Sequence, residues 1–331
     1  MICPGRFRTG PRGLDSHVAL KVSHVTLCRY QAAAKLVCEW CDQVGLIPND
    51  VEEWDDLLIE FKNSWPDISK SKFTTLVAAV EFYFPRFRGQ LQWSHAALRG
   101  WSLAHPTKHT VPLMRSQAAL VGLHVASLGF PRLLGGLLLQ QRKGLRPGEL
   151  LALRHEDVVL PEEQLEGPLR NSMTVGLGIK SGTKAKRPQS VVVLQYVDPD
   201  IVQFMRVLKS VTRGGERLFP FSFETFRRLL KTSEARLGVR VGWTPHSARA
   251  GYASEAKAAG IPFEEIRETG RWVADSSLRI YIDIVGAAAI STQLKSAGLE
   301  QALAWALKHW PQYCSAEQLA PPAWGHAPKR C

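Results

Sequence analysis

Residues 244–249 have the sequence Thr-Pro-His-Ser-Ala-Arg, and this stretch carries the strongest local signal in the chain. Proline is favoured in the first turn of a helix, so a helix is predicted to begin at Pro245. His246 and Arg249 are three positions apart, which places their side chains on the same face of that helix. An imidazole and a guanidinium on one face can both reach a single anion.

A glycine, an arginine and two aromatic residues follow downstream. Residues 270–272 are Gly-Arg-Trp, and Tyr281 comes 281 − 272 = 9 positions after Trp272. Helical periodicity from Asp275 to Val285 predicts that the tyrosine lies on a helix. By itself, each of these aromatic residues is as well explained by packing as by chemistry.

Upstream, two segments supply further positive charge. Residues 144–153 are Gly-Leu-Arg-Pro-Gly-Glu-Leu-Leu-Ala-Leu, and the proline after Arg146 predicts that this arginine lies at the start of a helix. Residues 173–179 alternate in polarity, a basic turn follows, and residues 191–194 are apolar. This pattern predicts a β-hairpin with a cationic tip.

The order of these residues along the chain resembles the catalytic domain of the tyrosine recombinases, or phage integrases. This family includes Cre- and Xer-like enzymes and those of eukaryotic mobile elements. The resemblance covers about 115–289 and implies a mainly α fold with a small antiparallel β-hairpin or sheet, an α+β class. The resemblance depends on the whole set in its order: Arg146, the basic hairpin, His246-x-x-Arg249, Trp272 and Tyr281.

The resemblance also implies catalytic roles. Arg146 and Arg249 match the two arginines that clamp the scissile phosphate, where charge builds up during attack. Tyr281 matches the nucleophile, whose hydroxyl has an ordinary pKa near ~10 and needs a base, for which His246 is the candidate. Trp272 matches the position of an indole N–H donor to the phosphate, because its spacing to the tyrosine is the family's usual one.

The remaining roles fall to the hairpin and to two further residues. Lys180 matches the lysine that protonates the leaving 5′-hydroxyl as general acid, and Lys184 is the alternative. Glu149 matches an acidic supporting residue. Arg271 is the alternative to Trp272 at the penultimate position. Contacts with DNA are expected from a set of basic residues, namely Lys184, Lys186, Arg187 and Arg271.

A 3′-phosphotyrosyl product retains the energy of the broken phosphodiester bond, so the resemblance implies rejoining without metal, ATP or any other cofactor. The expected partner is double-stranded DNA. The family implies a homotetramer on paired DNA sites and a monomer when free. A helical pattern over 298–308 is a candidate for a helix exchanged with a neighbouring subunit, and packing within its own subunit is the alternative.

Four segments are predicted from composition and periodicity. A basic N-terminal arm covers 1–16, and a helical DNA-binding module, similar to a core-binding domain, covers 17–106. The catalytic domain covers 110–295, after a breaker at the His-Pro-Thr of 105–107. A C-terminal helix and tail cover 296–331, with a loosely ordered chain expected after Pro311.

Charge and composition narrow the class of protein. The chain has 331 residues and a formal net charge of +12, which favours polyanionic partners. The longest apolar stretch, 118–139, is interrupted by His124, Pro131 and Arg132, so no membrane partner is expected.

Cys38 and Cys41 lack the further ligands of a zinc site. An intracellular, DNA-associated location is expected, in the cytoplasm of a prokaryote or the nucleus of a eukaryote.

Two other functions share the sequence features. A type IB topoisomerase, which nicks and closes DNA, or a hairpin-forming resolvase uses the same residue types. A DNA-binding protein that descends from a mobile element and has lost catalysis would also retain the basic character. The small helical first domain favours a recombinase over the topoisomerase, and the full catalytic set favours an enzyme over the inactive protein.

Overall fold

The chain divides between Thr107 and Lys108 into two compact units. The computed structural model describes four ranges: residues 22–105, 109–164, 170–178 and 189–320. The predicted basic arm over 1–16 lies outside them. Within these ranges no helix is long and apolar enough to cross a membrane, and no group of three or more histidine, cysteine or acidic side chains is arranged to hold a metal ion.

The first unit is helical throughout its described part. Its helices are α1 (His24–Val44), α2 (Val51–Ser64), α3 (Lys70–Tyr83) and α4 (Gln92–Ala104). The first three begin where short polar side chains accept a backbone N–H of the first turn, and the caps are Ser23, Asp50 and Ser69. Cys38 and Cys41 are both buried in the core of this unit.

A buried carboxylate joins two of these helices. Asp55 of α2 accepts the backbone N–H groups of Trp93 and Ser94, at 2.7 and 2.8 Å, in the first turn of α4. The first N–H groups of a helix have no partner within the helix and attract negative charge. Asp55 therefore fixes where α4 begins relative to α2.

The second unit contains a three-stranded sheet and the remaining helices. Before the sheet come α5 (Arg115–Ser127), α6 (Pro131–Lys143) and α7 (Pro147–Ala152). After it come α8 (Pro199–Ser210), α9 (Phe223–Arg236), α10 (Ser247–Ala258), α11 (Phe263–Gly270), α12 (Asp275–Arg279), α13 (Ile284–Ser296), α14 (Glu300–His309) and α15 (Ala316–Leu319). The mainly α fold with a small antiparallel sheet is confirmed.

The sheet contains the predicted hairpin. Its strands are β1 (Val158–Val159), β2 (Ser172–Leu177) and β3 (Gln189–Leu194), in the order β1-β2-β3 and antiparallel throughout. Met173, Val175 and Leu177 of β2 are buried on one face, as the alternating pattern requires. The tip of the hairpin, 179–188, lies outside the described residues.

The core of the second unit is built around α6, which is buried over most of its length and packs against α5 and α10. Close approach brings α10 to the segment before α5. A Cβ at Gly251 would collide with the carbonyl group of Leu113, so this position of α10 requires a glycine. Leu113 in turn donates its backbone N–H to the carbonyl of Ser247, at 2.9 Å.

The helix predicted from Asp275 to Val285 is wrong. Helix α12 ends at Arg279, Tyr281 lies in a turn, and α13 begins after Asp283. The carboxylate of Asp283 accepts the backbone N–H of Gly286 at 2.7 Å and starts the new helix. Apolar periodicity continues through this break, because the four non-helical residues 280–283 are close in number to one helical turn and so keep the spacing of apolar residues.

The expectation of a loosely ordered chain after Pro311 is also wrong for the described residues. Trp310, Cys314 and Leu319 are buried in the core of the second unit. Helix α14 packs against α5 of the same unit, with Ala306 buried. The C-terminal segment up to residue 320 is therefore part of the second unit's own core.

Replacing Trp310 by alanine should lower the free energy of unfolding by about 3–5 kcal/mol, because the side chain is 1% exposed and its loss leaves a large cavity. Trp305→Ala is the matched control. Trp305 lies on α14, is 48% exposed, and should cost less than about 1 kcal/mol. Denaturant unfolding measures both, and equal losses would contradict the assignment of the tail to the core.

Candidate active site

Three parts of the second unit bring the predicted catalytic residues together. Arg146 lies at the start of α7, with Pro147 in the first helical position as predicted. His246 is the residue before α10, and Arg249 lies in the first turn of that helix. Trp272 follows the end of α11, and Tyr281 lies in the turn after α12.

The tyrosine and the histidine are in contact. The hydroxyl of Tyr281 lies 3.2 Å from Nδ1 of His246, within hydrogen-bonding distance. Either group can be the donor, depending on the tautomer of the imidazole. Ser254 of α10 donates its hydroxyl to the backbone carbonyl of Tyr281 at 3.2 Å and thereby holds the turn against the helix that follows the histidine. This geometry allows the imidazole to take the phenolic proton.

Arg249 is the most deeply buried cation of the site, with 1% of its surface exposed. Its Nη1 donates to the backbone carbonyl of Gly144, just before α7. Its Cζ lies 3.8 Å from the centroid of the Trp272 ring and 5.6 Å from that of the Tyr281 ring. The guanidinium therefore rests on an aromatic face, where a cation is stabilised by the ring quadrupole.

The electrostatic environment of Arg249 disfavours its charge. Burial lowers the pKa of Arg249, and the charges of Arg146 and Arg271 lower it further, to about 9; Glu149 and Tyr281 act in the opposite direction. Among the described residues no carboxylate lies within salt-bridge distance of this guanidinium. Within the described ranges this cation therefore has no carboxylate as its counter-charge, and an anionic ligand could supply one.

Glu149 organises the other two arginines. Its carboxylate accepts from Nη1 of Arg146 at 2.6 Å, from the backbone N–H of Arg146 at 2.7 Å, and from Nη2 of Arg271 at 2.8 Å. Burial by itself raises the pKa of Glu149, but these contacts outweigh burial and hold the pKa below its usual range. The carboxylate is therefore ionised at neutral pH and orients the guanidinium of Arg146.

Trp272 is fixed by a glycine and by a second tyrosine. A Cβ at Gly270 would collide with the indole ring, so this position requires a glycine. The ring of Tyr252 lies nearly parallel to the indole, with an interplanar angle of 6°. The sequence reasoning missed Tyr252, although it lies three positions after Arg249 on the same face of α10.

Several donors of the site have no acceptor. Nη2 of Arg249, Nε1 of Trp272 and Nε of Arg271 are buried, and none has a hydrogen-bond partner among the described residues. Buried polar groups are nearly always paired, so unpaired donors in one site indicate an acceptor that arrives with a ligand. A phosphate oxygen is an acceptor that suits guanidinium and indole N–H groups alike.

The position of Arg271 differs from the one expected from the sequence. It was expected to contact DNA, but its side chain is only 6% exposed and its guanidinium is bound to Glu149 and to backbone carbonyls. The alternative of Arg271 in place of Trp272 is also disfavoured by this geometry, because the indole and not Arg271 lies against Arg249 and Tyr281. Four other predicted residues lie outside the described residues: Lys180, Lys184, Lys186 and Arg187.

Comparison with solved structures identifies the fold. The XerH site-specific recombinase bound to difH substrate in a pre-cleavage complex superposes with a TM-score of 0.51 at 12% identity, over 77% of this chain and 75% of that one. The post-cleavage complex on palindromic difH gives 0.54 at 11% identity, over 85% and 81%. The chain has the fold of the tyrosine recombinases.

A transposon enzyme shares this recombinase fold. The Tn1549 transposon integrase in complex with transposon right end DNA gives a TM-score of 0.52 at 13% identity, over 83% of this chain and 95% of that one. No protein-family model and no curated protein sequence matches the chain. The similarity is therefore one of three-dimensional structure, at sequence identities of 11–13%.

Arg249→Met should leave the recombinase fold more stable at pH 7, by ~1 kcal/mol or more, because it removes a buried charge that has no carboxylate partner in the part of the chain that the structure describes. The Gly144 carbonyl keeps a second donor, Nη2 of Arg271 at 3.3 Å. Arg132→Met is the matched control. Arg132 is also buried and also has an unpaired Nη2, but its Nε and Nη1 donate to the carbonyls of Leu319 and Leu218. Its loss leaves both buried carbonyls without this donor and should cost about 2 kcal/mol.

The pH dependence of the same variant follows from the lowered pKa. Above about pH 9 the folded wild type loses the proton of Arg249, whereas the unfolded chain keeps it, so wild-type stability rises with pH in that range. The advantage of Arg249→Met should therefore shrink above pH 9 in chemical denaturation. A variant less stable than wild type at pH 7 would contradict the description of Arg249 as an uncompensated cation.

Proposed function

We propose that this protein cleaves and rejoins DNA strands in site-specific recombination or integration, through a 3′-phosphotyrosyl intermediate on Tyr281. The observation that carries the proposal is the contact of the Tyr281 hydroxyl with His246, beside buried guanidinium and indole donors that have no acceptor among the described residues. A nucleophile, its base and an anion site thus lie in one cluster. The recombinase fold supports the same function.

The first step is attack of the Tyr281 oxygen on the scissile phosphorus. The phenolic proton passes to His246, the bond from phosphorus to the 5′-oxygen breaks, and a 3′-phosphotyrosyl bond forms. Charge on the non-bridging oxygens is stabilised by the guanidiniums of Arg146 and Arg249, and the indole N–H of Trp272 donates to the same phosphate. These groups are held by contacts within the protein, so little reorganisation is expected in the transition state.

The leaving 5′-oxygen takes a proton from Lys180, for which we retain Lys184 as the alternative. Rejoining reverses the chemistry, as a 5′-hydroxyl attacks the phosphotyrosyl bond and releases Tyr281. The energy of the original phosphodiester is kept in the intermediate, so the cycle needs neither metal nor ATP. The DNA partner is a duplex, on which Lys186 and Arg187 would add phosphate contacts.

Exchange between two duplexes requires paired active sites, so we propose a homotetramer on two DNA sites and a monomer in the absence of DNA. A topoisomerase of type IB would instead close the same strand that it opened. Two assays on one preparation separate these functions. Transfer of a cleaved strand to a second duplex supports recombination, whereas relaxation of supercoiled DNA without any transfer supports the topoisomerase.

Tyr281→Phe should abolish the covalent protein–DNA adduct and leave DNA affinity within about twofold, because only the nucleophilic oxygen is removed. The probe is a pool of nicked duplexes with random sequence, and the readout is DNA that stays attached to the protein in detergent. Tyr252→Phe is the matched control and should keep the adduct, because its ring still packs against Trp272.

Two outcomes would overturn the proposal. Equal adduct formation by Tyr281→Phe and wild type would remove Tyr281 as the nucleophile. Binding of DNA by the wild type without any adduct, across the whole random pool, would favour the catalytically inactive DNA-binding protein derived from a mobile element.

A sulfur leaving group distinguishes the two candidate lysines. A thiol is far more acidic than an alcohol, so a substrate with sulfur in place of the bridging 5′-oxygen needs no general acid. Lys180→Ala should cleave the oxygen substrate about 10²-fold or more slowly and the sulfur substrate at nearly the wild-type rate. Lys184→Ala should cleave both normally. The opposite pattern would assign the role to Lys184.

A further inference from the structure

Arg271 has an unusual backbone conformation. It is the one residue other than glycine with a positive φ, 58°, among the described residues. This left-handed conformation brings the Cβ of an L-residue too close to the carbonyl oxygen, so glycine is the residue usually found there. A large side chain that persists in such a position is held by its surroundings, and strain of this kind occurs most often at functional sites.

The guanidinium of Arg271 connects separate parts of the site. Nη2 donates to Glu149 Oε2 at 2.8 Å and to the Gly144 carbonyl at 3.3 Å. Nη1 donates to the Thr269 carbonyl at 2.8 Å and to the Lys143 carbonyl at 3.4 Å. The turn before α7, its first helical turn and the end of α11 are thereby joined by one planar side chain.

Both arginines of the proposed phosphate clamp share acceptors with Arg271. Arg146 binds the same carboxylate, that of Glu149, and also donates through Nη2 to the backbone carbonyl of Arg271 at 2.9 Å. Arg249 donates through Nη1 to the same Gly144 carbonyl. The left-handed conformation matters here, because it directs the carbonyl of Arg271 to Arg146 while the side chain reaches Glu149.

We infer that Arg271 is a positioning residue, which sets the angle between the guanidiniums of Arg146 and Arg249 without touching the phosphate itself. This inference rests on the proposed function and adds a residue whose action is indirect. A lysine cannot replace it, since an ammonium lacks the planar fork that reaches Glu149 and the carbonyl groups at once. A glycine would relieve the backbone but leave both clamp residues without their common support.

The test uses Arg271→Gly and Arg271→Lys in the full chain, on a DNA substrate that forms the adduct with wild type. The substrate carries a phosphorothioate at the scissile position, as separate Rp and Sp diastereomers. Two guanidiniums at fixed angles distinguish the two non-bridging positions, so wild type should prefer one diastereomer. Both variants should cleave the ordinary phosphate about 10–100-fold more slowly, because small displacements of positioning groups cost rates of this order.

The preference for one diastereomer should fall towards one in both variants, and the dissociation constant for DNA should stay within about twofold of wild type. Millimolar guanidinium ion should partly restore the rate of Arg271→Gly, whose cavity it can fill. Arg267→Ala is the matched control, because Arg267 lies four positions earlier on α11, is partly exposed, and is paired with Asp275 at 2.9 Å instead of with any residue of the site. It should keep the wild-type rate and preference.

Other results would overturn the inference in distinguishable ways. Wild-type rates and preference in both variants would show that Arg271 positions nothing. A rate loss with an unchanged preference, matched by a loss of folded protein in thermal unfolding, would leave a purely structural role. A rate loss explained by weaker DNA binding would make Arg271 a direct contact. Absence of any adduct with wild type would instead refute the proposed function.

Discussion

Arg249 keeps a positive charge in the interior of the second unit with a carbonyl group and an indole ring as its neighbours. Burial of a cation without a carboxylate is unfavourable, and the lowered pKa of Arg249 expresses that cost. Glycines at three positions allow the surrounding groups to pack around this cation. Gly144 supplies the carbonyl, Gly270 makes room for the ring of Trp272, and Gly251 lets α10 pack close enough to place the guanidinium.

Two buried carboxylates of the second unit, Asp198 and Glu149, are bound to cations other than Arg249. Asp198 is fully buried and is approached by Arg142 at 2.6 Å, Lys143 at 3.6 Å and Arg115 at 4.0 Å, at the C-terminal end of α6. Glu149 faces the site but is engaged by Arg146 and Arg271. These carboxylates thus bind cations of the scaffold, whereas Arg249 keeps its charge without a carboxylate among the described residues. This arrangement suits the phosphodiester chemistry that we propose.

Local rules were enough to predict much of the site. Proline after Arg146 placed that arginine at a helix start, and the spacing of His246 and Arg249 placed both at the beginning of the next helix, as the structure confirms. The same rules failed at Tyr281. Its aromatic ring fits an apolar helical pattern, yet the cap at Asp283 separates two helices and leaves the tyrosine in the turn between them.

The sequence by itself determined the fold class, the hairpin and the set of residues that resembles the tyrosine recombinases, because helix starts, alternation and spacing are local properties. Only the tertiary structure decided that Arg271 turns inward and that Tyr252 supports the indole. It also decided that the chain from Pro311 to residue 320 packs into the core. Those outcomes depend on which distant groups meet in space, and an exposed and a buried arginine look the same in a sequence.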